Sequence, residues 1–417
     1  MAKSKPKPTS LDREYAILGE KLAARGIDID RVAADAMAFR CETPSWGYGN
    51  QGTRFGVVRD PAAPRDAFEK FEDAAQVHKV TGIAPTVAVH IPWDKVEDYG
   101  KLQRHAKSLG VGIGAVNPNV FEDEDYKYGS VCNSDLRVRR KAIAHLKECV
   151  SLGSGLGSTV LSLWFADGTN YPGQGEFAQR KRWLLEALTE VYTVMPRGMR
   201  MLIEYKLFEP AFYHTDLPDW GLAFLAASRL GQQAQVLVDL GHHAQGTNIE
   251  WIVGVLLDEG KLGGFHFNNR KYADDDLTTG CINPYELYLI FHELVSGAPK
   301  LRPGFEIAYM IDESPIIKPR IEAMIQSVTN IQEAYAKALL VDRRALRTAQ
   351  AENRVMDAER AIRDAYTIDV TPILAKGRIA KKLDPDPLAA FRRSGYVEKT
   401  LKARAGKGKA AAGLGAR

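Results

Sequence analysis

The sequence has no C-x-x-C pair; its four cysteines, Cys41, Cys132, Cys149 and Cys281, stand far apart. That spacing argues against thiolate zinc clusters and dithiol redox motifs, and fits free thiols in a reducing compartment. No apolar run approaches the roughly 18–20 residues that a membrane-spanning helix needs, so no membrane partner is expected. The opening MAKSKPKPTS is basic but has no apolar segment behind it, which argues against a secretory signal and for a cytoplasmic protein. No G-x-G-x-x-G follows an early strand, which weighs against a dinucleotide-binding open sheet. A basic folded surface is also missing. The formal charge of +4 is carried by the ends, where Lys3, Lys5, Lys7 and then Lys402, Arg404, Lys407, Lys409 and Arg417 meet no acid. Residues 11–400 are left at −4, so nucleic acid is not an expected partner.

What is present is an alternation. Short apolar, β-branched runs are each followed by a longer amphipathic segment. Seven runs read as strands: 86–91 (TVAVHI), 110–116, 158–165, 199–205, 234–240, 263–267 and 304–310. An eighth, weaker run lies near 36–41 (AMAFRC). Between them, 98–110, 135–153, 179–195 and 247–260 carry helical periodicity, the first two ending at glycine. Repeated β–α units imply parallel strands joined by right-handed crossovers. Eight of them suit a closed (β/α)8 TIM barrel with additional C-terminal helices, since 322–366 is rich in Ala, Leu, Glu and Arg. The expected organisation is a disordered basic tail over 1–10, a catalytic barrel over 11–320, a helical extension over 321–400 and a second disordered basic tail over 401–417.

In such a barrel the C-terminal strand ends share one mouth. Four successive ends here carry metal-type ligands: Glu204 with Lys206, Asp239 with His242, His266 with Asp274 and Asp276, and Asp312. A lone strand-end carboxylate is ordinarily a cap or a surface group. Four consecutive ends are not, because so many charges packed without a counter-charge would be expensive. Hard divalent cations take oxygen donors, and Mn2+ suits a mixed carboxylate–imidazole set. Glu204, Asp239, His266 and Asp312 make one such set; His242, Asp274 and Asp276 make a second beside it, with room for a bridging carboxylate. Asp275, between two ligands, is expected to turn toward solvent or Arg270. Trp46, Tyr48, Phe55, His90, Trp93, Trp164 and Phe165 stand near the same strand ends, and indole faces suit the C–H faces of a sugar.

At these residues the chain resembles the bacterial L-rhamnose isomerase family, of the type active on rare sugars, within the xylose isomerase-like barrel superfamily. The resemblance rests on HIPW, SLWFADGTNYPGQ, EYKLFEPAFYHTD, VDLGHHAQGTNIE, FHFNNRKYADDDL and the ID at Asp312. It implies a structural metal on Glu204, Asp239, His266 and Asp312, and a catalytic metal on His242, Asp274 and Asp276. It implies two divalent cations per subunit, Mn2+ first, with Co2+, Zn2+ and Mg2+ as alternatives. Lys206 matches the lysine beside the sugar's terminal oxygen, and Lys206, Asp274, Asp312 and His242 form the implied catalytic group. His90, Trp93, Trp164 and the surroundings of His243 match the substrate pocket. Phe55 resembles an aromatic that reaches a neighbouring subunit's site in a homotetramer. Asn269 and Arg270 depart from the pattern of close relatives and bear on substrate preference.

The implied reaction is reversible aldose–ketose isomerisation by a metal-assisted 1,2-hydride shift, with an enediol route as the rival. A metal-dependent epimerase would want two glutamates flanking the substrate and one metal; here the second glutamate is missing and a D-x-D is present, which favours an isomerase. A metal hydrolase of nucleic acids would want a basic groove. A non-catalytic sugar-binding protein would have no use for a full ligand set.

Overall fold

The computed structural model describes residues 8–53, 55–209 and 213–405. Eight parallel strands close into a barrel. They are β1 Glu42–Pro44, β2 Thr86–Ile91, β3 Gly112–Pro118, β4 Val160–Leu163, β5 Arg200–Glu204, β6 Ala234–Asp239, β7 Leu262–Phe267 and β8 Ala308–Ile311. β1 closes the ring, with Glu42 opposite both Thr86 of β2 and Met310 of β8. Every residue of β6 and β7 is buried. Helices cover one face and side chains fill the other, so such strands read as apolar runs without strict alternation.

Each strand is followed by a helix: α1 Ala67–Thr81, α2 Tyr99–Ser108, α3 Leu136–Leu156, α4 Phe177–Tyr192, α5 Trp220–Leu230, α6 Ile249–Asp258, α7 Pro284–Gly297 and α8 Arg320–Leu339. Local chemistry starts and stops them. The side chains of Asp66, Asp98, Asp135, Asp219 and Asn248 accept backbone N–H groups in the first turns of α1, α2, α3, α5 and α6. Gly82 and Gly157 end α1 and α3 at φ 73° and 74°, a conformation that suits glycine. α8 packs against α7 and α1 and completes the outer ring.

The eighth strand lies later than 36–41. Residues 36–38 belong to the helix Ile29–Ala38, capped by Asp28 and burying Val32, Ala33, Ala36 and Met37 on one face. β1 itself is Glu-Thr-Pro, with two poor strand formers that hide it from a propensity reading. The helical stretch 322–366 resolves into α8, Arg343–Ala351 and Val355–Tyr366, followed by Thr371–Ala380, Pro387–Arg393 and Tyr396–Arg404.

Of the two basic tails, residues 1–7 and 406–417 lie outside the described residues. The adjoining residues form helix ends. Thr9 caps the helix Ser10–Ala23, and Arg404, 5% exposed, pairs with Asp73 at 2.9 Å. No helix among the described residues is long and apolar enough to cross a membrane.

Candidate active site

The barrel's C-terminal mouth collects the strand-end ligands. β5 ends at Glu204, β6 at Asp239 and β7 one residue past His266; Asp312 follows β8 directly. The backbone register aligns Asp239 with His266. The Asp312 N–H donates to the Phe267 carbonyl at 3.0 Å. Glu204, Asp239, His266 and Asp312 thereby offer four ligand atoms within 4.8 Å of one another. His266 Nδ1 lies 3.1 Å from Glu204 Oε1, 3.6 Å from Asp312 Oδ2 and 3.9 Å from Asp239 Oδ2.

A second group, Asp239, His242 and Asp274, satisfies the same criterion, so Asp239 belongs to both. His242 Nδ1 lies 2.9 Å from the Tyr205 carbonyl oxygen. A carbonyl can only accept, so Nδ1 carries a proton and Nε2 is the ring nitrogen turned toward the acids. Nε2 faces Asp274 Oδ1 at 3.5 Å and Asp239 Oδ1 at 3.9 Å. Fixing one ring nitrogen by a hydrogen bond is how proteins orient a metal-binding imidazole.

The electrostatics follow from this crowding. Burial opposes a charge on His242, but Asp239 and Asp274 outweigh it and lift its pKa to about 10. Burial likewise opposes a charge on His266, but Glu204, Asp312 and Asp239 lift it to about 9. Burial raises Asp239, Asp276 and Asp312, and neighbouring carboxylates push all three in the same direction. Burial would raise Asp274 too, but His242 and Lys206 win and hold it low. Five carboxylates and two imidazoles are thus crowded together, with Lys206 paired to Asp274 at 2.5 Å. The Asp274 Oδ1 atom is buried with no hydrogen-bond partner. This hard, anionic donor set fits divalent cations.

Above the acids lies a cavity of about 380 Å³. Its other walls include Trp46, His90, Phe121 and Trp164. The dimensions and the mixture of aromatic faces with a few convergent polar groups suit a small polar ligand.

A protein named "Probable sugar isomerase" from Rhizobium meliloti is 45% identical over 93% of this chain and 91% of its own length. A second of the same name, from Mesorhizobium japonicum, is 44% identical over 94% of this chain and 93% of its own. The chain belongs to this sugar isomerase family. A xylose isomerase from Thermus thermophilus is 25% identical over 57% of the chain and 64% of its own length. Among solved structures, an L-ribulose 3-epimerase shares the fold, with a TM-score of 0.50 at 14% identity over 72% of this chain and 95% of its own. No family model matches the sequence.

The fold brings most of the sequence-predicted residues to one place. Glu204, Lys206, His242, His266, Asp274, Asp276, Asp312, His90 and Trp164 all line the cavity, and Asp239 lies fully buried beneath them. Asp276 stands beside the second ligand group, at a left-handed φ of 45°, and its carbonyl accepts the Ser314 N–H. Trp93 does not line the cavity. Its ring stacks behind His90 at 3.9 Å and its Nε1 donates to Glu122 at 2.6 Å. Phe55 is 91% exposed at the tip of a hairpin, Gln51–Thr53 with Gly56–Val58, and does not line it either. His243 is buried off the cavity, with its Nε2 2.7 Å from the Tyr205 hydroxyl. Burial and Arg270 push its pKa down to about 3.

Asp275 is half-buried, does not line the cavity and does not pair with Arg270. Its Oδ2 accepts the backbone N–H groups of Lys271, Tyr272 and Ala273, curling the loop around its own carboxylate. Arg270 is engaged elsewhere, on the Leu240 carbonyl and near Glu286.

The sequence reading placed Trp46 among the aromatics at the mouth but not its contact with Asp312, and it did not single out Phe121 or Glu209. Trp46 Nε1 donates to Asp312 Oδ1 at 2.8 Å; a correct placement of β1 would have put Trp46 two residues past a strand end. Glu209 Oε2 lies 2.6 Å from Lys206 Nζ. It is a second glutamate on the cavity wall, beside Glu204. One further acid group, Cys132, Asp167 and Asp216, is already neutralised by Arg180, 2.8 Å from Asp216, and by three donors on Asp167.

Proposed function

We propose that this sugar isomerase interconverts L-rhamnose and L-rhamnulose, and also accepts D-allose and D-psicose, with two divalent cations per subunit, Mn2+ first. The observation that carries this reading is the pair of adjoining ligand groups sharing Asp239, with the Lys206 ammonium on the same cavity wall. The motif resemblance to L-rhamnose isomerases supports the choice of sugar.

Glu204, Asp239, His266 and Asp312 would hold one cation; His242, Asp274 and Asp276, with Asp239 shared, would hold the other. Bound there, the cations supply Lewis-acid stabilisation to the sugar oxygens. Lys206 holds the charge that develops on the oxygen at C1. Asp274 and Asp312 manage the proton exchanged between O1 and O2, while hydrogen moves between C2 and C1 as hydride. Trp46 keeps Asp312 aimed into the cavity. His90, braced by Trp93, and Trp164 pack against the sugar's carbon faces. Phe55 completes a neighbouring copy's pocket in a cytoplasmic homotetramer.

Incubation with Mn2+ and a panel of aldoses, followed by ketose detection, tests the reading. L-Rhamnulose from L-rhamnose is expected, and no ketose from any aldose would refute it. Turnover in D2O tests the route: substantial deuterium at C1 or C2 would exclude a hydride shift. Glu209 on the cavity wall favours one second reading, an epimerase acting on ketoses. That reading expects ketose-to-ketose conversion with solvent deuterium at the inverted carbon.

A further inference from the structure

Two carboxylates grip one ammonium at the edge of the second ligand group. Lys206 Nζ lies 2.5 Å from Asp274 Oδ2 and 2.6 Å from Glu209 Oε2, and 5.1 Å from the centre of the Trp164 ring. The Lys206 side chain is 6% exposed, so it cannot replace a lost partner with bulk water. Asp274 meanwhile has a second demand on it. Its Oδ1 is buried and faces His242 Nε2 at 3.5 Å. An oxygen pair shared between an ammonium and a dication is a conflict. Each positive charge weakens the other's hold on the carboxylate, and a buried lysine left without a counter-charge is strongly destabilised.

Glu209 is placed to resolve it. It stands on a different segment from both cation groups, the short strand Phe208–Glu209, which pairs with Tyr213–Thr215. Its side chain is 25% exposed, lies on the same cavity wall and belongs to neither ligand group. It can therefore keep the ammonium while Asp274 turns to another partner.

We propose that Glu209 is a positioning residue that takes over the Lys206 ammonium, releasing Asp274 to hold the second cation while Lys206 remains charged in the sugar pocket. The inference rests on the two-cation reading above. With Glu209 neutral, Lys206 has Asp274 as its one acidic partner in this grip and competes with the cation for it.

The test is a Mn2+ titration without sugar, following free Mn2+ by electron paramagnetic resonance, on wild type, Glu209→Gln, Lys206→Met and the double variant. In Glu209→Gln the weaker site should lose roughly tenfold or more in affinity, the scale on which one adjacent charge acts. The tighter site should be unchanged, which also reports that the variant is folded. Lys206→Met should tighten the weaker site, and in that background Glu209→Gln should have little further effect. Wild type binding fewer than two ions would overturn the two-cation reading and this inference with it. Two ions in wild type with unaltered affinities in Glu209→Gln would overturn the inference alone. An equal loss in the Lys206→Met background would also overturn it, because Glu209 would then act through its own charge and not through the lysine.

Discussion

The DDD run at 274–276 gives the sharpest prediction, because its three carboxylates do different work. Asp275 Oδ2 accepts from the N–H groups of Lys271, of Tyr272 at 2.6 Å and of Ala273 at 3.4 Å. A hydrogen bond to a charged acceptor contributes about 1.5–3 kcal/mol when well shielded. This carboxylate is half-buried, and the third contact is long, so a net of about 1–2 kcal/mol for the whole turn is reasonable. Asp275→Asn keeps one acceptor oxygen and should lose under about 1 kcal/mol. Asp275→Ala should lose the full amount and loosen the segment carrying Asp274 and Asp276. Its Mn2+ requirement should rise about tenfold, the equivalent of 1.4 kcal/mol, while its rate at saturating Mn2+ stays near wild type. Asp274→Asn removes a ligand oxygen and should cost at least about a hundredfold in activity, without rescue by added Mn2+. The assay is ketose formation against Mn2+ concentration for the three proteins. Asp275→Asn falling as far as Asp274→Asn, or Asp275→Ala failing to recover at high Mn2+, would refute the division of labour.

Three further outcomes follow from buried charge and space. The Glu313 carboxyl is fully buried against Ser327 and the Thr279 N–H; burial lifts it from an ordinary 4.5 to about 8. The folded state then keeps a proton that the unfolded chain has already lost, so stability should fall as pH rises from about 5 to 8. Glu313→Gln should flatten that decline by up to a few kcal/mol in melts across the same range; parallel wild-type and variant curves would contradict it. Lys70 and Asp94 form an ion pair with both side chains at 0% exposure, and Asp94 also holds the His90 N–H and the Ser45 hydroxyl. Lys70→Met should cost about 3–5 kcal/mol in urea unfolding, and adding Asp94→Asn should recover part of it. A Cβ on Gly114 would sit 1.5 Å from Glu42 Oε2. Gly114→Ala should therefore lower stability by about 1–3 kcal/mol or more, and adding Glu42→Ala should relieve it.

The barrel was legible because its strands are buried on both sides. Runs such as AQVLVD and TVAVHI announce themselves by unbroken apolar character, and capped helices between them enforce the parallel order. β1 failed that test. It is three residues long, contains Glu42 and Pro44, and follows a helix whose buried face mimics an apolar run. Its side chains are set by what surrounds them: Glu42 lies across the barrel interior, accepts the Ala115 N–H at 2.9 Å and fills the space that Gly114 leaves. Nothing local to residues 42–44 signals that arrangement.

The same division explains the site. A parallel barrel sends every strand's C-terminal end to one mouth, so Glu204, Asp239, His266 and Asp312 could be grouped from strand ends alone. Periodicity carries no further than the strand. Lys206 was within its reach, two residues past the end of β5. Glu209, three residues beyond, lies on a separate strand pairing that brings it back to the same ammonium. Asp275 shows the converse, since one sequence neighbour curls inward on the backbone while the residues beside it line the cavity. The candidate ligands are therefore set by strand ends. The contacts that hold their surroundings come from the segments beyond: Trp46 on Asp312, Glu209 on Lys206, and Asp275 on the backbone before Asp274. Variation in those loop residues should shift metal affinity and pH response while the ligand set stays intact.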